Sequence, residues 1–224
     1  MKVDDLTYVT REESFEIENP EVHVETISSD VRILESTDGK CHVQVSTQTE
    51  EAKLLTELVE IVRNDQRLTI RVDTNTRNFR KFLGGKTNQL HVVIKLPKLS
   101  SLKVKTVSAE IEIHPGLSRV EAGSISGDIK VLRNPDGTCK VKTVSGDISA
   151  TAFSACSYSL RSVSGDIKVN VAAGLKVDVD GRSVSGDLES EISLSLGAKA
   201  SDEQSELVTI STSTVSGDFT LARN

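Results

Sequence analysis

Along residues 101–221, apolar and polar positions alternate in short bursts, and the same burst keeps returning. LKVKTVS (102–108), CKVKTVS (139–145), YSLRSVS (158–164) and VTISTSTVS (208–216) are one version. IKV (129–131), ISA (148–150), IKV (167–169), LES (188–190) and FTL (219–221) are the other. A period of two with β-branched residues is the pattern of a half-buried strand, and helical spacing fits it badly. Between the two versions stands Ser-Gly-Asp, the composition of a tight bend.

Alignment on the central Ser gives TVSAEIEI (106–113), SISGDIKV (124–131), TVSGDISA (143–150), SVSGDIKV (162–169), SVSGDLES (183–190) and TVSGDFTL (214–221), with an earlier copy TISSDVRI at 26–33. Successive copies from Ser108 onward lie 18, 19, 19, 21 and 31 residues apart. A unit of this length cannot bury its apolar side alone, whereas stacked on its own copy it can. The expectation is an all-β, right-handed parallel β-solenoid of ~19-residue repeats, with strands ~4.8 Å apart from coil to coil. Equivalent residues then form columns, expected in the core both for Val107, Ile125, Val144, Val163, Val184 and Val215 and for Ile111, Ile129, Ile148, Ile167, Leu188 and Phe219. In VKTVS, Val141 and Thr143 share a face and Val144 does not, so a bend near Thr143 is expected to reset the phase. The rival arrangement is an antiparallel meander of hairpins, since Gly-Asp also suits a hairpin turn.

The expected bend residues are Ser126, Gly127 and Asp128; Ser145, Gly146 and Asp147; Ser164, Gly165 and Asp166; Ser185, Gly186 and Asp187; and Ser216, Gly217 and Asp218. Glycine is expected to supply a backbone angle that a Cβ forbids, and Asp and Ser to close the turn with hydrogen bonds. A column of Asp also suggests Ca²⁺, but one Asp per coil is few oxygens for its shell. Lys130 and Lys168 stand two residues on and offset the charge.

Residues 1–97 are less regular and read as an N-terminal β region continuous with the repeats of 98–224. The strand-like runs 18–36 and 41–50 flank a turn at Thr37-Asp38-Gly39, 59–72 reads as a hairpin turning at Asn64-Asp65, and 90–97 is a strand ended by Pro97. A short helix is expected within 50–61, with Val59 onward already strand. The segment 74–88 combines Arg77, Arg80, Lys81 and Lys86 with Phe79 and Phe82, a candidate partner-binding loop.

Composition narrows the field. The 224 residues carry a net charge of −6, against a general nucleic-acid binder. Aromatics are 3% and Trp is absent, so Val, Ile and Leu must build the core. Cys41, Cys139 and Cys156 have no CxxC or zinc spacing and read as buried thiols. The first residues lack a signal-peptide pattern, and no run is long and apolar enough to span a membrane, so a cytoplasmic location is expected. The histidines share no metal-ligand spacing, and no P-loop, GxGxxG or GxSxG is present. No cofactor, metal or catalytic residue is expected.

The Ser-Gly-Asp units, their leading strands and the TIRV and HVVIKLP segments together resemble the bacterial DUF4097 family of adhesin-type β-repeat proteins, over roughly residues 15–221. That resemblance implies a β-solenoid-like fold and no established catalytic residues. The functional expectation is a non-enzymatic interaction or scaffold protein, binding a protein partner or itself, the latter as a homodimer through the C-terminal edge. Contact with a membrane would be weak. The alternatives are a self-assembling structural protein and an enzyme acting on polysaccharide.

Overall fold

The computed structural model describes residues 8–47, 56, 57, 59–72, 90–133, 136–192 and 207–224. The strands of the N-terminal part are β1 (Tyr8–Phe15), β2 (Glu21–Glu25), β3 (Asp30–Glu35), β4 (Cys41–Thr47), β5 (Val59–Asn64), β6 (Arg67–Val72) and β7 (Leu90–Leu96). The repeats follow as β8 (Ser101–Lys105), β9 (Ile111–Ile113), β10 (Arg119–Gly123), β11 (Ile129–Val131), β12 (Thr138–Lys142) and β13 (Ile148–Ala152). The last are β14 (Cys156–Arg161), β15 (Ile167–Val171), β16 (Lys176–Ser183), β17 (Leu188–Ser190), β18 (Leu207–Thr214) and β19 (Phe219–Arg223). Among the described residues of 50–61 a brief 3₁₀ turn at 56 and 57 precedes β5; residues 50–55, where the helix would begin, and 58 lie outside the described residues.

The strands form two sheets that face each other across one core. One runs β1-β4-β7-β3-β9-β11-β13-β15-β19-β17 and the other β16-β18-β14-β12-β10-β8-β2-β6-β5. Every repeat contributes its leading strand to the second sheet and its trailing strand to the first, crossing at Ser-Gly-Asp or, in the first two copies, at Ser28-Ser29-Asp30 and Ser108-Ala109-Glu110. Neighbouring copies pair in parallel and in register: Ile111 with Ile129, Ile129 with Ile148, and Ile148 with Ile167. The meander of hairpins is therefore excluded for these copies. Among the described strands the antiparallel pairs are β1 with β4, β4 with β7 and β5 with β6, all in the N-terminal part. The turn before β4 is held by Asp38, which accepts the Lys40 N–H at 3.0 Å and the Ser36 hydroxyl at 2.8 Å, while Gly39 takes φ +75°.

Alternation explains the core. Leu102, Val104, Val120, Cys139, Val141, Tyr158, Leu160, Val208 and Ile210 point in from one sheet, and Ile111, Ile113, Ile129, Val131, Ile148, Ile167, Val169, Phe219 and Leu221 from the other, all buried. Tyr158 is the largest fully buried side chain, and its hydroxyl crosses the core to donate to the Thr151 carbonyl at 2.9 Å. Strand β13, which receives it, carries the small Ala150 and Ala152 at inward positions.

The coils are not stacked in chain order at either end. Strands β18 and β19, from the last residues, lie between β14–β15 and β16–β17: Ile167 pairs with Phe219, and Phe219 with Leu188. The outermost coil is thus 176–190, not the final copy, and the column reads Ile167, Phe219, Leu188. At the other end β2 and β3 lie between β6–β7 and β8–β9. Both sheets run without a break across residue 97, since β8 pairs with β2 and β9 with β3.

The three thiols sit inside this core. Burial pushes Cys41 up to about 12 and Cys156 up to about 11, and raises Cys139 still further. Groups whose pKa is raised on folding contribute stability that is complete below their unfolded value and is lost as pH rises toward the folded one. Stability is therefore expected to decline from about pH 9, the unfolded thiol value, toward pH 11–12. Urea midpoints of the wild type and of Cys139→Ala across that range check this: the loss should be smaller in the variant.

Candidate binding edge

The corner between the sheets repeats one set of contacts. In every copy but one the Ser or Thr two residues before the central Ser points inward and is buried: Thr26, Thr106, Ser124, Thr143, Ser162 and Thr214, while Ser183 of the outermost coil is half-buried. In four copies the hydroxyl oxygen accepts the N–H three residues on: Thr106 from Ala109 (3.2 Å), Ser124 from Gly127 (2.7 Å), Thr143 from Gly146 (3.0 Å) and Ser162 from Gly165 (2.9 Å); the Thr214 hydroxyl makes no such bond. These residues were not singled out in the sequence, although every copy carries Ser or Thr there. Strict alternation runs through Thr143, and the bend comes one residue later than expected, over 144–146. Val144 and Ser145 both face outward as a result, and the phase resets at Gly146.

The expected Val and Ile column is consequently outside the core. Val107, Ile125, Val144, Val163 and Val215 are 39–50% exposed and Val184 is 81% exposed. Successive coils are ~4.8 Å apart, so these side chains form a continuous apolar rib. The Ser hydroxyls beside it also face outward, while the Ser N–H groups bond the coil before, Ser145 to the Ile125 carbonyl and Ser164 to the Val144 carbonyl.

The glycines serve close approach rather than an unusual angle, for none of the five bend glycines has positive φ. A Cβ on Gly127 would lie 1.9 Å from the Ala109 carbonyl oxygen, and one on Gly165 2.0 Å from that of Gly146. The aspartates form a ladder. Asp128 accepts the N–H of Asp147 at 3.0 Å, Asp147 that of Asp166 at 2.9 Å, Asp166 that of Asp218 at 2.9 Å, and Asp218 that of Asp187 at 2.9 Å. Asp30 starts it by accepting from Glu110 at 3.1 Å. One oxygen of each accepting carboxylate is thus committed to an amide. Lys130 pairs with Glu110, one coil back, rather than with Asp128. Among the described residues no three His, Cys, Asp or Glu side chains are grouped as metal ligands.

This ladder predicts a difference between two substitutions. Asp147→Asn keeps the acceptor for Asp166 and is expected to leave the urea midpoint nearly unchanged. Asp147→Ala removes it and should cost about 1 kcal/mol. Equal losses in the two variants would mean that the charge, not the acceptor, matters.

On the other flank of the rib, the outer face of the second sheet carries a row of cations. Lys105, Gly123, Lys142 and Arg161 are neighbours in register, and Lys140 lies on the same face. Lys142 and Arg161 are adjacent, exposed and alike in charge, an arrangement that is unfavourable unless an anion stands nearby. The expected partner loop, Arg77, Phe79, Arg80, Lys81, Phe82 and Lys86, lies outside the described residues. The four histidines each stand by a carboxylate rather than by one another: His23 by Glu21, His42 by Asp38, His91 by Asp30 and His114 by Glu112. Among the described residues no helix is long and apolar enough to cross a membrane.

The family profile described as Toastrack DUF4097 matches residues 19–188 and, overlapping, 123–222. No curated protein matches. Among solved structures, a candidate cell adhesion protein from Clostridium sporogenes ATCC 15579 aligns with a TM-score of 0.56 at 12% identity, over 96% of this chain and 99% of that one. A candidate adhesin from Bacteroides fragilis NCTC 9343 aligns with a TM-score of 0.52 at 17% identity, over 96% of each chain. At such identities the likeness concerns the fold.

Proposed function

The chain belongs to the Toastrack DUF4097 family, and from that premise we propose that it works by binding, as a non-enzymatic, adhesin-like scaffold whose corner rib holds an extended protein partner. One observation carries the reading: the rib of Val107, Ile125, Val144, Val163 and Val215 is apolar, regular and exposed along an in-register coil. An apolar strip rimmed by polar residues is the usual mark of an interaction surface. The row Lys105, Lys142 and Arg161 on one flank and the Asp ladder on the other give such a partner a fixed orientation, with its acids toward the lysines. Solenoids suit this role because their side chains repeat along a line, as an extended chain does. The coil is right-handed in this reading, as parallel crossovers nearly always are.

The test compares immobilised wild type with the double variant Val144→Asp/Val163→Asp in capture from a lysate of the source organism. A partner held by the wild type should be lost at least tenfold by the variant, whose circular dichroism is expected to be unchanged because both side chains face solvent. A third arm neutralises Arg77, Arg80, Lys81 and Lys86, for which a second contact with the same partner is proposed. Identical retention by the wild type and the rib variant would refute the rib as a site.

A further inference from the structure

The two ends of the coil are finished differently. At the N-terminal end both outer strands run antiparallel to their neighbours, and each carries a feature that disfavours further pairing. Strand β1 is antiparallel and its register is broken between Val9 and Arg11, a bulge that spoils an edge for further pairing. Arg11 then reaches across to donate to the Val59 carbonyl of β5 at 2.6 Å. The β5 strand itself is antiparallel and largely polar on its exposed positions.

Strand β16 at the other end also carries charge on its exposed positions, Lys176, Asp178, Asp180 and Arg182, but among the described residues it has neither a bulge nor a side chain that takes one of its carbonyls. Strand β16 runs eight residues in unbroken register with β18, with no proline and no bulge. Core positions surface there: Leu188, the equivalent of the buried Ile148 and Ile167, is 52% exposed, and Val177 and Val179 are only partly buried. The bonds that join coils also stop in mid-pattern. Thr106, Ser124, Thr143 and Ser162 each give their N–H to a carbonyl of the next coil, those of Gly123, Lys142, Arg161 and Ser213. The equivalent N–H of Ser183 has no next coil among the described residues. The Val215 carbonyl accepts from Ser185 and the Asp218 carboxylate from Asp187, yet the Val184 carbonyl and the Asp187 carboxylate meet no donor among the described residues.

We propose that this end is an interface for a second copy of the same chain, joined by antiparallel pairing of β16 with β16 about a two-fold axis. The occupant follows from the asymmetry. Head-to-tail stacking would need an N-terminal end that matches this one, and there β1 is bulged and Arg11 takes the first carbonyl of β5; the isologous arrangement uses the unbroken β16 edge twice. By the alternation set at Ser183, the N–H and carbonyl of Gly181 also point outward, so the axis can pass beside Gly181. That register places Asp180 opposite the partner's Arg182, twice by symmetry, and sets no like charges opposite. The apolar Leu188, Val177 and Val179 are then covered. This inference goes beyond the scaffold reading and does not rest on it.

Sedimentation velocity on the full chain from 1 to 100 µM tests it. The wild type should approach twice the monomer mass. Leu188→Lys should raise the dissociation constant at least tenfold, by turning an inward position of the edge into a charge. Arg182→Asp, at an exposed position where it gives up only a 3.6 Å ion pair with Asp180 of its own chain, should weaken the dimer several-fold, and Asp180→Arg/Arg182→Asp should restore it. A wild type that stays monomeric, with slowly exchanging β16 amides, would show that residues 193–206 of the same chain cover the edge, and the proposal falls. Filaments, or a dimer indifferent to both Leu188→Lys and Arg182→Asp, would overturn it as well.

Discussion

Gly146→Ala is expected to lower stability by about 3 kcal/mol, at the upper end for overpacking, and the melting temperature by roughly 6–12 °C. The reason is a backbone-to-backbone approach. A Cβ at this position would lie 2.2 Å from the Gly127 carbonyl oxygen and 2.6 Å from its carbon, and neither atom belongs to a side chain that can swing away. Relief would require the coils to part at the corner, where the Gly146 N–H bonds Thr143 and the Asp147 N–H bonds Asp128. Gly39→Ala provides the contrast. Its φ is +75° but nothing lies within 4 Å of a Cβ there, so only the left-handed backbone is penalised, at about 1 kcal/mol. Urea denaturation of both variants measures the difference. A loss at Gly146 no larger than that at Gly39 would mean the coils do not approach as described.

Tyr158→Ala is expected to cost about 3–5 kcal/mol, the range for removing a large buried ring. Tyr158 is 1% exposed and spans the core between β14 and β13, in a chain with few aromatics to fill the space. Its phenol is pushed far up by burial, so it stays a neutral donor to the Thr151 carbonyl across the working pH range. Tyr158→Phe separates the two contributions. The ring remains, the carbonyl loses one donor, and about 1–2 kcal/mol should be lost. Melting temperatures of the two variants give the comparison; a Phe variant as damaged as the Ala variant would place the stability in the hydrogen bond and not in the packing.

The coil was legible in the sequence because the hexapeptide returns at nearly constant spacing, and only stacking buries its Ile position. The 59–72 hairpin was legible from Asn64-Asp65, where Asp65 takes φ 55°. Two features were not. The side on which Val144 falls depends on where the alternation breaks, and the polar run Thr-Val-Ser permits a break before or after Val144. Burial of Thr143 decides it, because its hydroxyl is needed inside for the Gly146 N–H. The order of the coils is the second. Copies this alike stack on one another in any order, so spacing alone favours chain order. A weak signal was present: copy 183–190 carries Ser190 where the other repeats carry Ile113, Val131, Ala150, Val169 and Leu221. A coil that puts Ser at that inward position suits an end better than a middle, and Phe219 with Leu221 suits the middle. The glycine column was legible as a bend but not as a close approach, since the approach is made by a different coil.

All of these arguments need the copies to lie in register with the last one tucked between its predecessors, and a pair of engineered disulfides tests that directly. Lys168 and Thr220 are opposed in register on neighbouring strands, at a separation of ~4.8 Å that a disulfide can bridge. Lys168 and Glu189 are two strands apart, at ~9.6 Å, which it cannot. Under mild oxidation of the folded protein, Lys168→Cys/Thr220→Cys should form its cross-link quantitatively, and Lys168→Cys/Glu189→Cys should stay reduced. The reverse outcome, a link from 168 to 189 and none from 168 to 220, would contradict the tucked coil, and a failure of both would contradict the register itself.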